Sequence, residues 1–250
     1  MFNMYDAANV WANDSAIFFD GVNDSATINM PQALNSGVRN NFTLSLWVKS
    51  HSAIFNADFV MWYHTETGAG DHASQYLWYD ESEEKIKFTR TDADGNNAAT
   101  SEYSQSKARI AEWAHIAVRV EGFVGGTISI FVNALEGDNE ADNPGDWTAS
   151  AASMYYGVNA PANNSFFNGY INNVAIWNDN FGGSTITEIY NQGKPKNELY
   201  SYPASNMYFY HVSNEKTFVS DTGYQRATFG APASIERVEY SGAIVVSKPA

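Results

Sequence analysis

Hydrophobic and polar residues alternate with a period of two along much of this chain, the spacing that turns one face of a β-strand toward a core and the other toward water. Between residues 42 and 49, Phe42, Leu44, Leu46 and Val48 share a face. Ile116, Val118 and Val120 repeat the pattern in 114–120, and Ile128, Ile130 and Val132 repeat it in 127–132. Further strands are expected over 16–19, 26–30, 59–63, 75–79, 85–90, 154–158 and 170–177.

Turn chemistry separates these runs. Residues 80–84 read as a hairpin turn between two aromatic-rich strands. Asp94-Gly95 and Gly125-Gly126 are dipeptides that tolerate the positive φ of tight turns. One short helix is predicted, with Ser184 as N-cap, Ile186, Ile189 and Tyr190 on its apolar side, and Gly193 closing it before Pro195. Many short strands with one helix predict an all-β fold, a sandwich of two antiparallel sheets.

Composition narrows the function. Aromatic residues at 15% suit pleated surfaces. A net charge of -14 argues against nucleic acid, whose phosphates need clustered Lys and Arg. Cysteine is absent, which excludes disulfides, thiol nucleophiles and thiolate zinc sites. The opening residues carry no basic segment followed by an apolar one, and no run approaches the ~18 apolar residues of a membrane span. Synthesis in the cytoplasm without a signal peptide, and no membrane insertion, are therefore expected.

Six segments in order carry a family resemblance: 19–24 (Phe-Asp-Gly-Val-Asn-Asp), 42–49, 112–120 (opening Glu-Trp-Ala-His), 127–133, 167–177 (opening Phe-Asn-Gly-Tyr and ending Ala-Ile-Trp) and 186–193. Together they resemble the laminin-G-like (LamG/pentraxin-type) branch of the concanavalin A-like lectin/glucanase superfamily. The resemblance implies a jelly roll of two antiparallel sheets, one of them concave, over residues 1–195. Residues 196–250 depart from it. Their aromatic stretches at 200–203 and 207–211 and the apolar 243–247 predict a strand-rich C-terminal extension, packed on the sandwich edge or on a neighbouring chain.

Catalysis is not expected. Glucanases of this superfamily carry Glu-x-Asp-x-x-Glu on one strand, and no such run exists here. Asp80, Glu81, Glu83 and Glu84 have another spacing and sit in a predicted turn. Serine-nucleophile elbows, zinc-protease helices and phosphate loops are also missing. His115, in the Trp-x-His segment, reads as a hydrogen-bonded structural residue.

Calcium is the ion the resemblance implies, held by carboxylate and carbonyl oxygens. Residues 136–146 place five carboxylates in an expected loop, and 92–97 begin like a calcium loop, but Tyr103 stands where the closing Glu would be. The pentraxin-type acidic stretch after residue 157 is replaced by amides at 159, 163 and 164. A single calcium site using Glu66 or Asp71 with Asn159 or Asn163 stays open. No cofactor is required.

Sugar recognition needs aromatic faces for C–H stacking and polar partners for hydroxyls. Trp62, Tyr63, Trp78 and Tyr79 are the candidate platform if the resemblance aligns them with the concave sheet, with Asn159 and Asn163 as polar partners. Two functions follow as expectations. One is a non-enzymatic structural or adhesive protein on the exterior of a phage particle. It would decorate the capsid or associate with the tail, contact other virion proteins or copies of itself, and touch host-surface polysaccharide. The other is an extracellular bacterial lectin assisted by calcium.

Overall fold

The computed structural model describes residues 15–30, 41–51, 57–65, 74–91, 98–103, 112–122, 126–142, 151–159, 164–177, 179–193, 207–211, 224–229, 235–241 and 244–247. In chain order the strands are β1 (Ser15–Asp20), β2 (Ser25–Met30), β3 (Asn41–Ser50), β4 (Ala57–Thr65), β5 (Ser74–Asp80), β6 (Lys85–Thr91), β7 (Ala98–Tyr103), β8 (Ala114–Glu121), β9 (Gly126–Val132), β10 (Leu135–Asp142), β11 (Ala151–Tyr156) and β12 (Asn168–Trp177). The helix α1 (Gly183–Tyr190) follows, then β13 (Met207–His211), β14 (Tyr224–Phe229), β15 (Ile235–Ser241) and β16 (Ile244–Ser247).

Two antiparallel sheets of six strands face each other in a jelly roll. The first runs β10-β9-β8-β3-β12-β1, and the second β7-β6-β5-β4-β11-β2. Hydrogen bonding continues between them through β13-β14-β15, because β13 pairs with β12 and β15 pairs with β2. β16 pairs with β1.

The alternating residues do what their period demands. Phe42, Leu44, Leu46, Val48, Ile116, Val118, Val120, Ile128, Ile130 and Val132 all meet in the core between the sheets. Each such side chain contributes about 1.5–3 kcal/mol when removed from water. From the second sheet Phe59, Val60, Leu77, Tyr79, Ile86, Phe88, Tyr103, Met154 and Tyr156 close the same core.

The first sheet is covered on its outer face as well. There Ala117, Phe131, Ala175 and Trp177 pack against Phe181, Ile186 and Ile189 of α1 and its approach. Trp47 stacks on Tyr190 with centroids 6.0 Å apart. Thr43 Oγ1 donates to Asp179 O at 2.7 Å and accepts from Phe181 N–H at 2.9 Å, which fixes the chain entering the helix.

Three local expectations are corrected. Gly182, not Ser184, is the N-cap, and no side chain caps the helix start. The helix ends at Asn191, in the left-handed region at φ 50, rather than at Gly193. The acidic segment expected as a loop is largely strand: Asn133 and Ala134, at φ 52 and 62, form a tight turn that folds 135–142 back onto β9 as β10. Glu136, at the start of that strand, pairs with Arg119 at 2.9 Å, and residues 143–146 lie outside the described residues. Gly137 is needed where β10 nears β7, since a Cβ there would lie 2.6 Å from the Tyr103 ring.

Candidate functional site

With α1 covering the outer face of the first sheet, the outer face of the second is the place to look for chemistry. Register builds it in rows. Asp58 lies opposite Trp78, Trp78 opposite Lys87, and Lys87 opposite Glu102, across β4, β5, β6 and β7. In the next row Tyr76 lies opposite Thr89, and Thr89 opposite Thr100. These residues alternate with Leu77, Tyr79, Ile86 and Phe88, which point into the core.

Tyr76 and Trp78 are both half-buried, with ring centroids 6.1 Å apart. Thr89 ties them together: its hydroxyl accepts from Trp78 Nε1 at 3.1 Å, lies 3.0 Å from the Thr100 hydroxyl, and bonds to the Tyr76 side chain. Burial raises the Tyr76 phenol above its ordinary range, and the nearby Asp58 charge adds to that, against the Thr89 bond.

Asp58 is only 3% exposed. Its backbone N–H donates to Ser165 O at 3.0 Å, and the Asn159 side chain bonds its carboxylate. Asn159 and Asn164 face each other as an isolated bridge, and the Ser165 bond holds this pair beside the start of β4. Gly157, at φ +76, begins the fold-back, and a Cβ there would lie 2.5 Å from the Phe19 ring. Burial pushes the Asp58 carboxyl up to about 7, and the Asn159 bond only partly opposes it. A single hydrogen bond to a charged group is worth about 1.5–3 kcal/mol, less than several kcal/mol for taking a carboxylate out of water. Desolvation wins.

At the far end of the same face is an ion cluster. Lys87 Nζ lies 2.9 Å from Asp80, 3.1 Å from Glu83 and 3.3 Å from Glu102. Lys85 Nζ bridges Glu83 at 3.0 Å and also pairs with Glu102. Asp80 accepts from Ser82 Oγ at 2.6 Å, Ser82 N–H at 2.9 Å and Glu83 N–H at 3.2 Å. The Ser82 and Lys87 bonds hold its carboxyl down at about 2. For Lys87, burial alone would lower the ammonium, but its three carboxylate partners raise it. Lys87 Nζ also lies 5.4 Å from the centre of the Trp78 ring.

Of the residues singled out in sequence, Trp78 and Asn159 meet around Asp58. Tyr79 does not join them. It is 1% exposed in the core, because consecutive strand residues face opposite sides and Trp78 takes the outer one. Trp62 lies in β4 opposite Gln75 and Met154, and Tyr63 opposite Ser74 and Ser153. Glu66, Asp71 and Asn163 fall outside the described residues, as do 92–97. Asp58, Tyr76 and Thr89 were not singled out. The signal for Asp58 was present: an acid flanked by Ala57 and Phe59-Val60 inside an apolar strand.

Chemically, the face presents two half-buried aromatic rings, threonine hydroxyls and the half-buried Asn159 amide, while the Asp58 carboxyl is closed off from solvent. A calcium shell takes about six to eight oxygens. Asp58 and Asn159 do not fill one, and no group of three His, Asp or Glu side chains fit for a metal occurs among the described residues. His115 is remote from this face. It is buried on the first sheet, with Nε2 2.8 Å from Ser45 Oγ and its ring beside Trp47 and Tyr190. Burial pushes it down to about 3, a neutral structural imidazole.

Comparison with known proteins gives the fold a lineage. The model of a family described as the concanavalin A-like lectin/glucanases superfamily matches residues 20–187. No curated protein sequence matches the chain. A heptameric SAP-like pentraxin from Limulus polyphemus is 13% identical, with TM-score 0.53 over 72% of this chain and 82% of that one. A candidate carbohydrate binding protein from Bacteroides ovatus is 13% identical, with TM-score 0.58 over 96% of this chain and 61% of that one. The CBM40 of Ruminococcus gnavus IT-sialidase is 12% identical, with TM-score 0.53 over 69% of this chain and 96% of that one. That CBM40 has also been solved bound to α2,3 sialyllactose.

Proposed function

The chain belongs to the concanavalin A-like lectin/glucanases superfamily, and from that premise we propose that it is a non-enzymatic glycan-binding module whose binding face is the outer side of β4–β7. The observation that carries this is the half-buried Tyr76–Trp78 pair beside the shielded Asp58. An acid held away from water with no cationic partner among the described residues destabilises the fold, and such groups cluster where ligands bind. Two rings joined through Thr89 form a fixed platform for the C–H face of a sugar, while Asn159, half-buried and held by Asp58, supplies a partner for its hydroxyls. The similar solved structures support the reading, since one is a CBM40 that takes sialyllactose on this kind of sandwich. Sequence argues in the same direction by lacking the paired carboxylates of the superfamily's hydrolases.

The protein is expected to work outside a cell or on the outside of a particle. We further propose a place on a phage virion, on capsid or tail, beside other virion proteins or further copies of this chain. It rests on sequence features alone: no cysteine and a strand-rich 196–250 appended to the sandwich. Calcium is not required by this reading. Glu66, Asp71, Asn159 and Asn163 are the residues proposed to hold an ion if one assists.

The test is a glycan array with the intact chain, repeated in EDTA and with Trp78→Ala. Saturable binding that Trp78→Ala abolishes supports the assignment, and loss in EDTA would add calcium to it. Absence of any glycan binding by the folded protein would overturn it. Stoichiometric co-purification with virus particles would decide the virion setting.

A further inference from the structure

We propose that the outer-sheet site selects uncharged glycans and rejects those bearing carboxylate or sulfate groups; this rests on its being a glycan site. The reason lies in what the charges on this face already do. Recognition of an acidic sugar needs a cation with donor capacity to spare, most effectively an arginine fork. Lys87, the cation beside Trp78, is surrounded by Asp80, Glu83 and Glu102 at 2.9, 3.1 and 3.3 Å. Lys85 is engaged by Glu83 and Glu102. Arg90 neighbours this part of the sheet, but it is 0% exposed and shares its strand's inward positions with Ile86 and Phe88. Arg119 belongs to the first sheet and pairs with Glu136.

Counted together, Lys85 and Lys87 stand against Asp58, Asp80, Glu83 and Glu102, so the described part of the face carries a negative balance whenever Asp58 is ionised. No lysine or arginine described on this face lacks a carboxylate partner or solvent-inaccessible placement. A ligand anion placed over Trp78 would face this balance at short range, where a repulsion between like charges in a partly dry site outweighs a hydroxyl contact. A neutral sugar suffers no such penalty. Its hydroxyls bond to the half-buried Asn159 amide, while its apolar face lies on Tyr76 and Trp78.

The experiment is an array of matched neutral, carboxylated and sulfated glycans, lactose against 3′-sialyllactose among them, followed by titration of the hits. Neutral members are expected to bind at least tenfold tighter than their acidic partners, with the gap narrowing as salt rises. In the double variant Glu83→Gln/Glu102→Gln, which leaves Lys87 with Asp80 alone, the gap is expected to shrink. Equal or tighter binding of acidic members overturns the inference while leaving the glycan site standing. An unchanged gap in the folded double variant also overturns it, because the carboxylates would then not set the preference. Failure of every member of every pair removes the glycan site and this inference together.

Discussion

Asp58 stands opposite Trp78 across the β4–β5 pair, one step before the register shifts and Val60 comes to lie opposite Leu77. The extra residue, Phe59, is a bulge, and it lets Phe59 and Val60 both enter the core although they are consecutive. The same irregularity leaves the Asp58 carboxyl on the outer side with Trp78, under the connection that carries Asn159 and Ser165. That one insertion sets Asp58, rather than Phe59, opposite Trp78 on the proposed binding face.

Trp78→Ala and Tyr76→Ala are each expected to weaken glycan binding by tenfold or more, about 1.4 kcal/mol, without unfolding the chain, since both side chains are only half-buried. Thr89→Val should produce a smaller loss, because it frees the Trp78 indole N–H and the Tyr76 hydroxyl from their common anchor. Calorimetric titration with a glycan hit measures all three. Full affinity in Trp78→Ala would place the ligand elsewhere.

Asp58 sets a slope of stability against pH. Its folded pKa, about 7, lies above the ordinary 3.8, so between those values the native state holds a proton that the unfolded chain has lost. Stability therefore falls as pH rises from about 4 to 7, by up to about 4 kcal/mol. Asp58→Asn should remove this slope and raise Tm at pH 8, while weakening glycan binding. A Tm at pH 8 lower than that of the unchanged protein would contradict the buried, weakly compensated carboxylate.

His115 has the opposite sign. Its folded value near 3 lies below the ordinary 6.5, so the unfolded state takes up the proton first and stability is lost as pH falls from about 6.5 toward 3. The two slopes overlap and offset each other in the intact protein. Denaturant titrations at pH 4, 5, 6 and 7 should show a flattened profile for the unchanged chain, a rising one for Asp58→Asn and a falling one for His115→Gln. Identical profiles for the two variants would refute the offset.

Asp80 protects the fold against acid. Its carboxyl is held at about 2 by Ser82 and Lys87, so its contribution is present above about pH 4 and disappears as pH falls toward 2. Asp80→Asn is expected to cost about 2 kcal/mol at neutral pH, through the lost turn bonds and a less well neutralised Lys87. The difference from the unchanged chain should vanish near pH 2. Urea unfolding at pH 7 and pH 2 measures it, and a cost persisting undiminished at pH 2 would assign it to packing instead.

Gly157→Ala should loosen the connection over β4. The backbone there has positive φ, and the added methyl would meet the Phe19 ring. Faster amide exchange at Asp58, whose N–H bonds to Ser165 O, is the expected sign, together with weaker glycan binding. Unchanged protection at Asp58 would show that the fold-back does not depend on this turn.

The alternation of Phe42, Leu44, Leu46 and Val48, and of Ile116, Val118 and Val120, determined two-faced strands, because a period of two turns one side of each strand toward a core, and many such strands with one helix pointed to a sandwich. The hairpin at 81–84 was equally legible, since it lies between two clear runs. β10 was not, because its acidic residues hide a strand that depends on Asn133 and Ala134 turning the chain back onto β9. The candidate site was half legible. Trp78 and Asn159 stand out by residue type, but their meeting around Asp58 does not follow from local pattern. Alternation read straight through β4 would separate Phe59 from Val60 and misplace everything after them. Only tertiary structure decided the bulge and the burial of Asp58 beneath a distant connection. Each depends on contacts between residues far apart in the chain, which no local period encodes.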